Sequence, residues 1–136
     1  MAETETPEAG AEQPRFFRRG EDYESLYANS VYFQPSEWDL KLIFGEVDND
    51  PKDGTTFVEQ HTSISVPWLQ AKLMNYYLTL QVGVYEMTHG EISVPQALIP
   101  TEYPPDPTLD ESGQKMHAYI EKMRKEFFGL RKSIPR

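Results

Sequence analysis

Apolar and polar residues alternate through the first half of this chain and recur at three- and four-residue intervals in the second, a pattern of strands followed by helices. A first strand is expected over residues 27–33, with Tyr27, Val31 and Phe33 on one side, Asn29 among them, and Pro35 as its stop. The clearest strand follows the turn at residues 34–37. There Trp38, Leu40, Leu42 and Phe44 point one way and Asp39 and Lys41 the other, with Ile43 as an apolar exception on the second face. Residues 48–54, with Pro51 and the Asp53-Gly54 pair, have the chemistry of a hairpin loop. A third strand is expected over residues 56–65, with Val58, Ile64 and Val66 on one face and Gln60 and Thr62 interrupting it. Connections this short favour an antiparallel meander, because a parallel pair needs a long crossover.

The longest apolar-rich stretch then changes period. Ser65 offers a cap, Pro67 suits a first turn where its missing N–H costs nothing, and a helix is expected to continue to Met87 or His89. Gly90 suits the left-handed position after the helix, with Ile92 as the apolar contact that accompanies it. At 100° per residue the apolar side chains of this helix form two stripes. Leu69, Leu73, Tyr76, Tyr77, Leu80, Val84 and Met87 make one, and Ala71, Met74, Leu78, Val82 and Tyr85 the other. One sheet covers one stripe. The expected core therefore combines Val31, Phe33, Trp38, Leu40, Leu42, Phe44, Val58 and Ile64 of the sheet with Leu69, Leu73, Tyr76, Leu80 and Val84 of the helix. The second stripe becomes the candidate oligomer interface; the alternative cover is the C-terminal helix of the same chain.

Residues 95–108 hold Pro95, Pro100, Pro104, Pro105 and Pro107 and have the composition of a semi-rigid linker. Thr108, with Glu111 three residues on, forms a capping-box pattern for a second helix. Met116, Tyr119, Ile120, Met123, Phe127 and Leu130 give that helix one apolar face, and Lys122, Arg124 and Lys125 line another side. The expected organisation is a disordered acidic tail over residues 1–22, a β-β-β-α core domain over 23–94, a Pro-rich linker over 95–108 and a basic amphipathic helix over 109–136. The fold class is α+β: a three-stranded antiparallel meander, one long helix, and a C-terminal amphipathic helix.

Charge sharpens this picture. The net charge of −9 divides into −4 for residues 1–26 (seven acids, three bases), −10 for 27–114 (thirteen acids, three bases) and +5 for 115–136 (seven bases, two acids). An acidic body repels phosphates, so no nucleic-acid partner is expected, residues 115–136 being the one stretch that could supply such contacts. Arg15-Phe16-Phe17-Arg18-Arg19 is a basic aromatic patch, read first as a tether covering the edge of the core and alternatively as a docking segment for an acidic surface. The chain has no cysteine, which removes disulfides, thiolate nucleophiles and Cys-based metal sites. The opening Met-Ala-Glu-Thr-Glu lacks the features of a secretory signal, and Gln70, Lys72, Asn75, Gln81 and Glu86 interrupt the longest apolar stretch, so no membrane span and a cytoplasmic location are expected.

Tyr27-Ala28-Asn29, Trp38-Asp39-Leu40 and Phe44-Gly45-Glu46-Val47-Asp48 resemble the opening of a widespread prokaryotic family, domain of unknown function 3467 (DUF3467). Ser65-Val66-Pro67, Ala71-Lys72, Tyr85-Glu86 and Gly90-Glu91-Ile92 are similar to its second half. The resemblance covers about residues 25–94, implies a fold and no activity, and does not extend to the second helix. From the residues themselves, Asn29 is expected to bond backbone at a strand end, and Gly45 to permit a bulge or close backbone approach. Asn29, Gly45, Pro67 and Gly90 are the structural motif positions.

No catalytic constellation or cofactor is expected. Asp48, Asp50, Asp53 and Glu59 partly imitate a calcium loop, but Lys52 occupies a ligand position and Asp53 replaces the required glycine. His61, His89 and His117 lack metal-ligand spacing. Phosphate loops and nucleophile elbows are absent from the sequence. The expected function is a non-catalytic homo-oligomeric interaction or adaptor module, a dimer or tetramer. One alternative is a holdase chaperone, since the strand order and long helix resemble the bacterial export chaperone SecB and Tyr32, Tyr76, Tyr77, Tyr85, Met74 and Met87 could line an adaptable groove. The other is a small-ligand-binding protein or enzyme.

Overall fold

The computed structural model describes residues 13–49 and 54–130. The expected tail at residues 1–12, the centre of the hairpin loop at 50–53 and the basic end at 131–136 lie outside them. The element order is β1 (Ser30–Pro35), β2 (Asp39–Asn49), β3 (Thr56–Pro67), α1 (Trp68–His89), a single 3-10 turn (Gln96–Leu98) and α2 (Glu111–Phe127). This is the α+β arrangement expected, a three-stranded antiparallel sheet in the order β1-β2-β3 followed by two helices. The chain divides into two compact units, one up to Tyr76 and one from Tyr77 on, with the boundary inside the continuous helix α1.

The β1–β2 connection is a side-chain-built turn. Ser36 Oγ accepts from the amides of Trp38 (3.2 Å) and Asp39 (3.0 Å) and donates to the Asp39 carboxylate (2.8 Å), while Ser36 N–H donates to Asp39 O (2.9 Å). The indole Nε1 of Trp68, the first residue of α1, donates to Ser36 O at 3.0 Å, tying the helix start to this turn. Pairing begins later than the pattern suggested: Tyr27 precedes β1, and Trp38 sits in the turn, 80% exposed, where the alternation placed it in the core.

Register explains the faces. Val31 pairs with Phe44 and Phe33 with Leu42; on the other side of β2, Leu42 pairs with Ile64 and Leu40 with Val66. Cross-strand partners share a face, so Val31, Phe33, Leu40, Leu42, Phe44, Ile64 and Val66 form one apolar layer. The register then shifts between Phe44 and Gly45: Phe44 pairs with Thr62 but Gly45 with Gln60, leaving His61 as the extra residue of a β-bulge. One extra residue inverts the alternation, so Val58, paired with Val47, lies on the face opposite Ile64. The expectation that Val58, Ile64 and Val66 share a face fails for this reason.

Helix α1 begins later than expected, at Trp68. Pro67 closes β3 as its last paired residue, opposite Asp39, and is not in the first helical turn. The other end matches: Gly90 has φ +94°, its N–H donates to Glu86 O (2.8 Å), and Ile92 N–H is taken by the Glu86 carboxylate (2.8 Å). For α2 the expected Thr108 cap is replaced by Asp110, whose carboxylate accepts from Gly113 N–H at 2.8 Å. Thr108 instead gives both its N–H and its hydroxyl to Asp106, at 2.9 and 2.6 Å.

The expected core does not form among the described residues of the unit that holds the sheet. Leu42, flanked by Phe33 and Ile64, is the single buried apolar side chain among the described residues, at 6% exposure. Leu40 and Phe44 are half-buried, while Val31, Phe33, Trp38, Val58, Ile64, Leu69, Leu73, Tyr76, Leu80 and Val84 are exposed. Leu69, Leu73 and Tyr76 belong to the same unit as the sheet, and their exposure shows that the first half of α1 does not roof the apolar layer. The physical reason is that Pro67 passes directly into Trp68 with no loop in which the chain could reverse onto the sheet.

At Gly45, a Cβ would lie 2.5 Å from Glu59 O and 3.1 Å from Gln60 Cα, both rigid backbone. Gly45→Ala is expected to destabilise the fold by about 1–3 kcal/mol, the usual cost of overpacking, as measured by urea unfolding. An unchanged midpoint would show that the bulge relaxes freely.

Candidate interaction surfaces

Besides the turn at Ser36 and the bonds at Asp106, three local arrangements of polar side chains stand out among the described residues. The first surrounds the bulge. Asn29 N–H donates to Gly45 O (3.1 Å) and Asn29 Oδ1 accepts from Val47 N–H (2.8 Å), so one side chain and one amide bridge the place where β2 loses its register. His61 Nε2 lies 3.0 Å from Tyr27 O and its Nδ1 lies 2.8 Å from Thr62 Oγ. A carbonyl only accepts, so Nε2 carries the proton and donates to Tyr27. The segment before β1 is thus fastened to both other strands, through Asn29 to β2 and through Tyr27 to β3. Asn29 bonds backbone, as its position suggested.

The second is a clamp in the unit from Tyr77 on. The Pro-rich segment expected as a linker lies along α2. Glu121, buried, accepts from Tyr103 N–H at 2.7 Å and pairs with Arg124 at 3.2 Å; Arg124 in turn donates to Pro100 O (3.3 Å). His117 Nε2 donates to Tyr103 O (2.9 Å) and Pro104 O (3.1 Å), with its ring 5.2 Å from that of Tyr103. The Tyr103 amide, and then the Arg124 guanidinium, hold the Glu121 carboxyl below the ordinary glutamate range. Beside the clamp, Pro100, Tyr103, Ile120, Met123 and Phe127 line an open, mostly apolar groove of about 390 Å³.

The third is the end of α1, where His89 stacks on Tyr85 with centroids 4.5 Å apart and its Nδ1 is 3.3 Å from Tyr85 O. Each of the three histidines therefore faces a backbone carbonyl with one ring nitrogen. No group of three or more acidic or histidine side chains positioned to hold a metal occurs among the described residues. Asp50 and Asp53, half of the calcium-loop imitation, lie outside them.

What remains is apolar surface. Helix α1 is about 33 Å long, has Lys72 and Glu86 as its only formally charged residues, and buries none of its side chains. Of the second stripe, Ala71 and Met74 are half-buried and Leu78, Val82 and Tyr85 exposed; Met87, in the first stripe, is 90% exposed. A helix with apolar stripes on two sides leaves one uncovered when a single layer packs against the other. No described helix is long and apolar enough to cross a membrane. Phe16 and Phe17 are exposed as well, so the basic aromatic patch covers no core within the chain. The burial of Glu121 was not legible beforehand, because Tyr103 is eighteen residues away and no periodic pattern links them.

No family model, curated protein or solved structure matches this chain.

Glu121 fixes a pH dependence. Its carboxyl is depressed in the folded state, so the clamp contributes stability that is complete above the unfolded glutamate value of about 4.3 and is lost as pH falls through the lower folded value. Protection of the Tyr103 amide from hydrogen exchange should fall over that acid window and be weakened at all pH values in Glu121→Gln. Protection that ignores both would show the clamp to be dispensable.

Proposed function

We propose that this chain is a non-catalytic interaction module that works as a homo-oligomer, its exposed apolar layer and helix stripes being the surfaces by which copies meet. The observation that carries the reading is Leu42 as the single buried apolar side chain among the described residues, set against fully formed secondary structure. A monomer of this size is not stabilised by one buried leucine. Fully burying a Leu, Val or Phe contributes about 1.5–3 kcal/mol, whereas association costs about 4–15 kcal/mol in lost freedom of motion. Several side chains per subunit are therefore needed, and Ala71, Met74, Leu78, Val82 and Tyr85 supply five along one helix before the sheet layer is added.

Membership in the DUF3467 family belongs to the same proposal. It is supported by the way Tyr27, Asn29, Gly45 and Val47, which carry the resemblance, meet at the bulge through hydrogen bonds. A holdase chaperone draws on the same exposed Tyr76, Tyr77, Tyr85 and Met87, and an assembly that buries them removes it.

Light scattering at micromolar concentration is expected to give a mass of at least two subunits of 15.7 kDa each. The double substitution Leu78→Glu/Val82→Glu places good helix formers at exposed positions and is expected to lower the mass. A wild-type monomer would overturn the proposal.

A further inference from the structure

Among the described residues the outer edge of β3 is long and pairs with no further strand. An antiparallel strand with one neighbour turns the N–H and C=O groups of alternate residues away from it. Such a row recruits another strand unless the edge is short, charged or broken by proline. The other edge, β1, meets this requirement, with six residues and Pro35 at its end. β3 has twelve residues and carries its proline only at position 67. Between Phe57 and Val66 its one acidic or basic residue, His61 apart, is Glu59. The bulge at His61 divides this edge, leaving Thr62-Ser63-Ile64-Ser65-Val66 as its longest regular and uncharged run.

We propose that residues 62–66 pair antiparallel with the same segment of a second copy, about a twofold axis near Ile64, joining two three-stranded sheets into one of six strands. This rests on the oligomeric reading above and adds a strand-edge contact to the apolar ones named there. The segment is complementary to itself. Twofold pairing sets Thr62 opposite the partner's Val66, Ser63 opposite the partner's Ser65, and Ile64 opposite the partner's Ile64. No like charges meet, and β-branched residues face one another on the apolar side. Because Ile64 pairs with Leu42 within the chain, the two apolar layers become one continuous layer across the junction. An isologous contact of this kind also closes on itself, consuming the edge instead of propagating it.

The absence of native cysteine makes the test direct. Directly opposed residues have Cα atoms about 4.5–5.5 Å apart, within the span of a disulfide, whereas diagonal neighbours at about 7–8 Å exceed it. Under mild oxidation Ile64→Cys is expected to cross-link by itself. Ser63→Cys and Ser65→Cys are expected to cross-link when mixed and at least fivefold less when alone; Gln34→Cys on β1 is the control and should stay uncross-linked. An oligomeric mass by light scattering with no cross-link at positions 63–65, or with cross-linking at position 34, overturns the β3 contact and leaves the oligomeric reading standing. A monomeric mass overturns both.

Discussion

A single layer of three strands has no inside. Leu42 illustrates the constraint: it lies on the central strand between Phe33 and Ile64, and even so it is the one apolar side chain among the described residues that neighbours in the same layer suffice to bury. Every other residue of that layer needs a second layer above it. The chain passes from β3 into α1 without a reversing loop, and the first half of that helix, which shares a unit with the sheet, does not provide one. On the proposed homo-oligomeric reading, the apolar content of α1 and of the sheet is surface for other copies, and the lack of formal charge along most of α1 follows from the same need.

Polar residues serve this arrangement by fixing the sheet's shape. The bulge at His61 depends on Gly45, where any Cβ would strike the Glu59 carbonyl, and Asn29 and His61 fasten the preceding segment across it. The same extra residue moves Val58 off the face that holds Leu42 and Ile64 and brings Phe57, paired with Asp48, onto it. In the unit from Tyr77 on, Glu121, Arg124 and His117 do comparable work by holding the Pro-rich segment against α2.

Elements governed by local chemistry were legible in the amino-acid sequence. The strand alternation of Leu40, Leu42 and Phe44, the glycine after α1 and the backbone role of Asn29 depend on near neighbours, and the structure has them as read. Features governed by one-residue offsets or distant partners were not. A bulge changes which face Val58 occupies without leaving a mark in composition, and Asp110 displaced Thr108 as the cap because Thr108 is engaged by Asp106. Leu69 and Leu73, expected in the core, are exposed in the unit that holds the sheet: periodicity records that a side chain requires cover, not what supplies it.

If burial comes from association, folding and assembly are one equilibrium, and stability must depend on protein concentration. Urea unfolding of the whole chain across a hundredfold range of concentration tests this most directly. The account predicts a midpoint that climbs steadily with concentration; a midpoint that stays fixed, with a single cooperative transition, would contradict it.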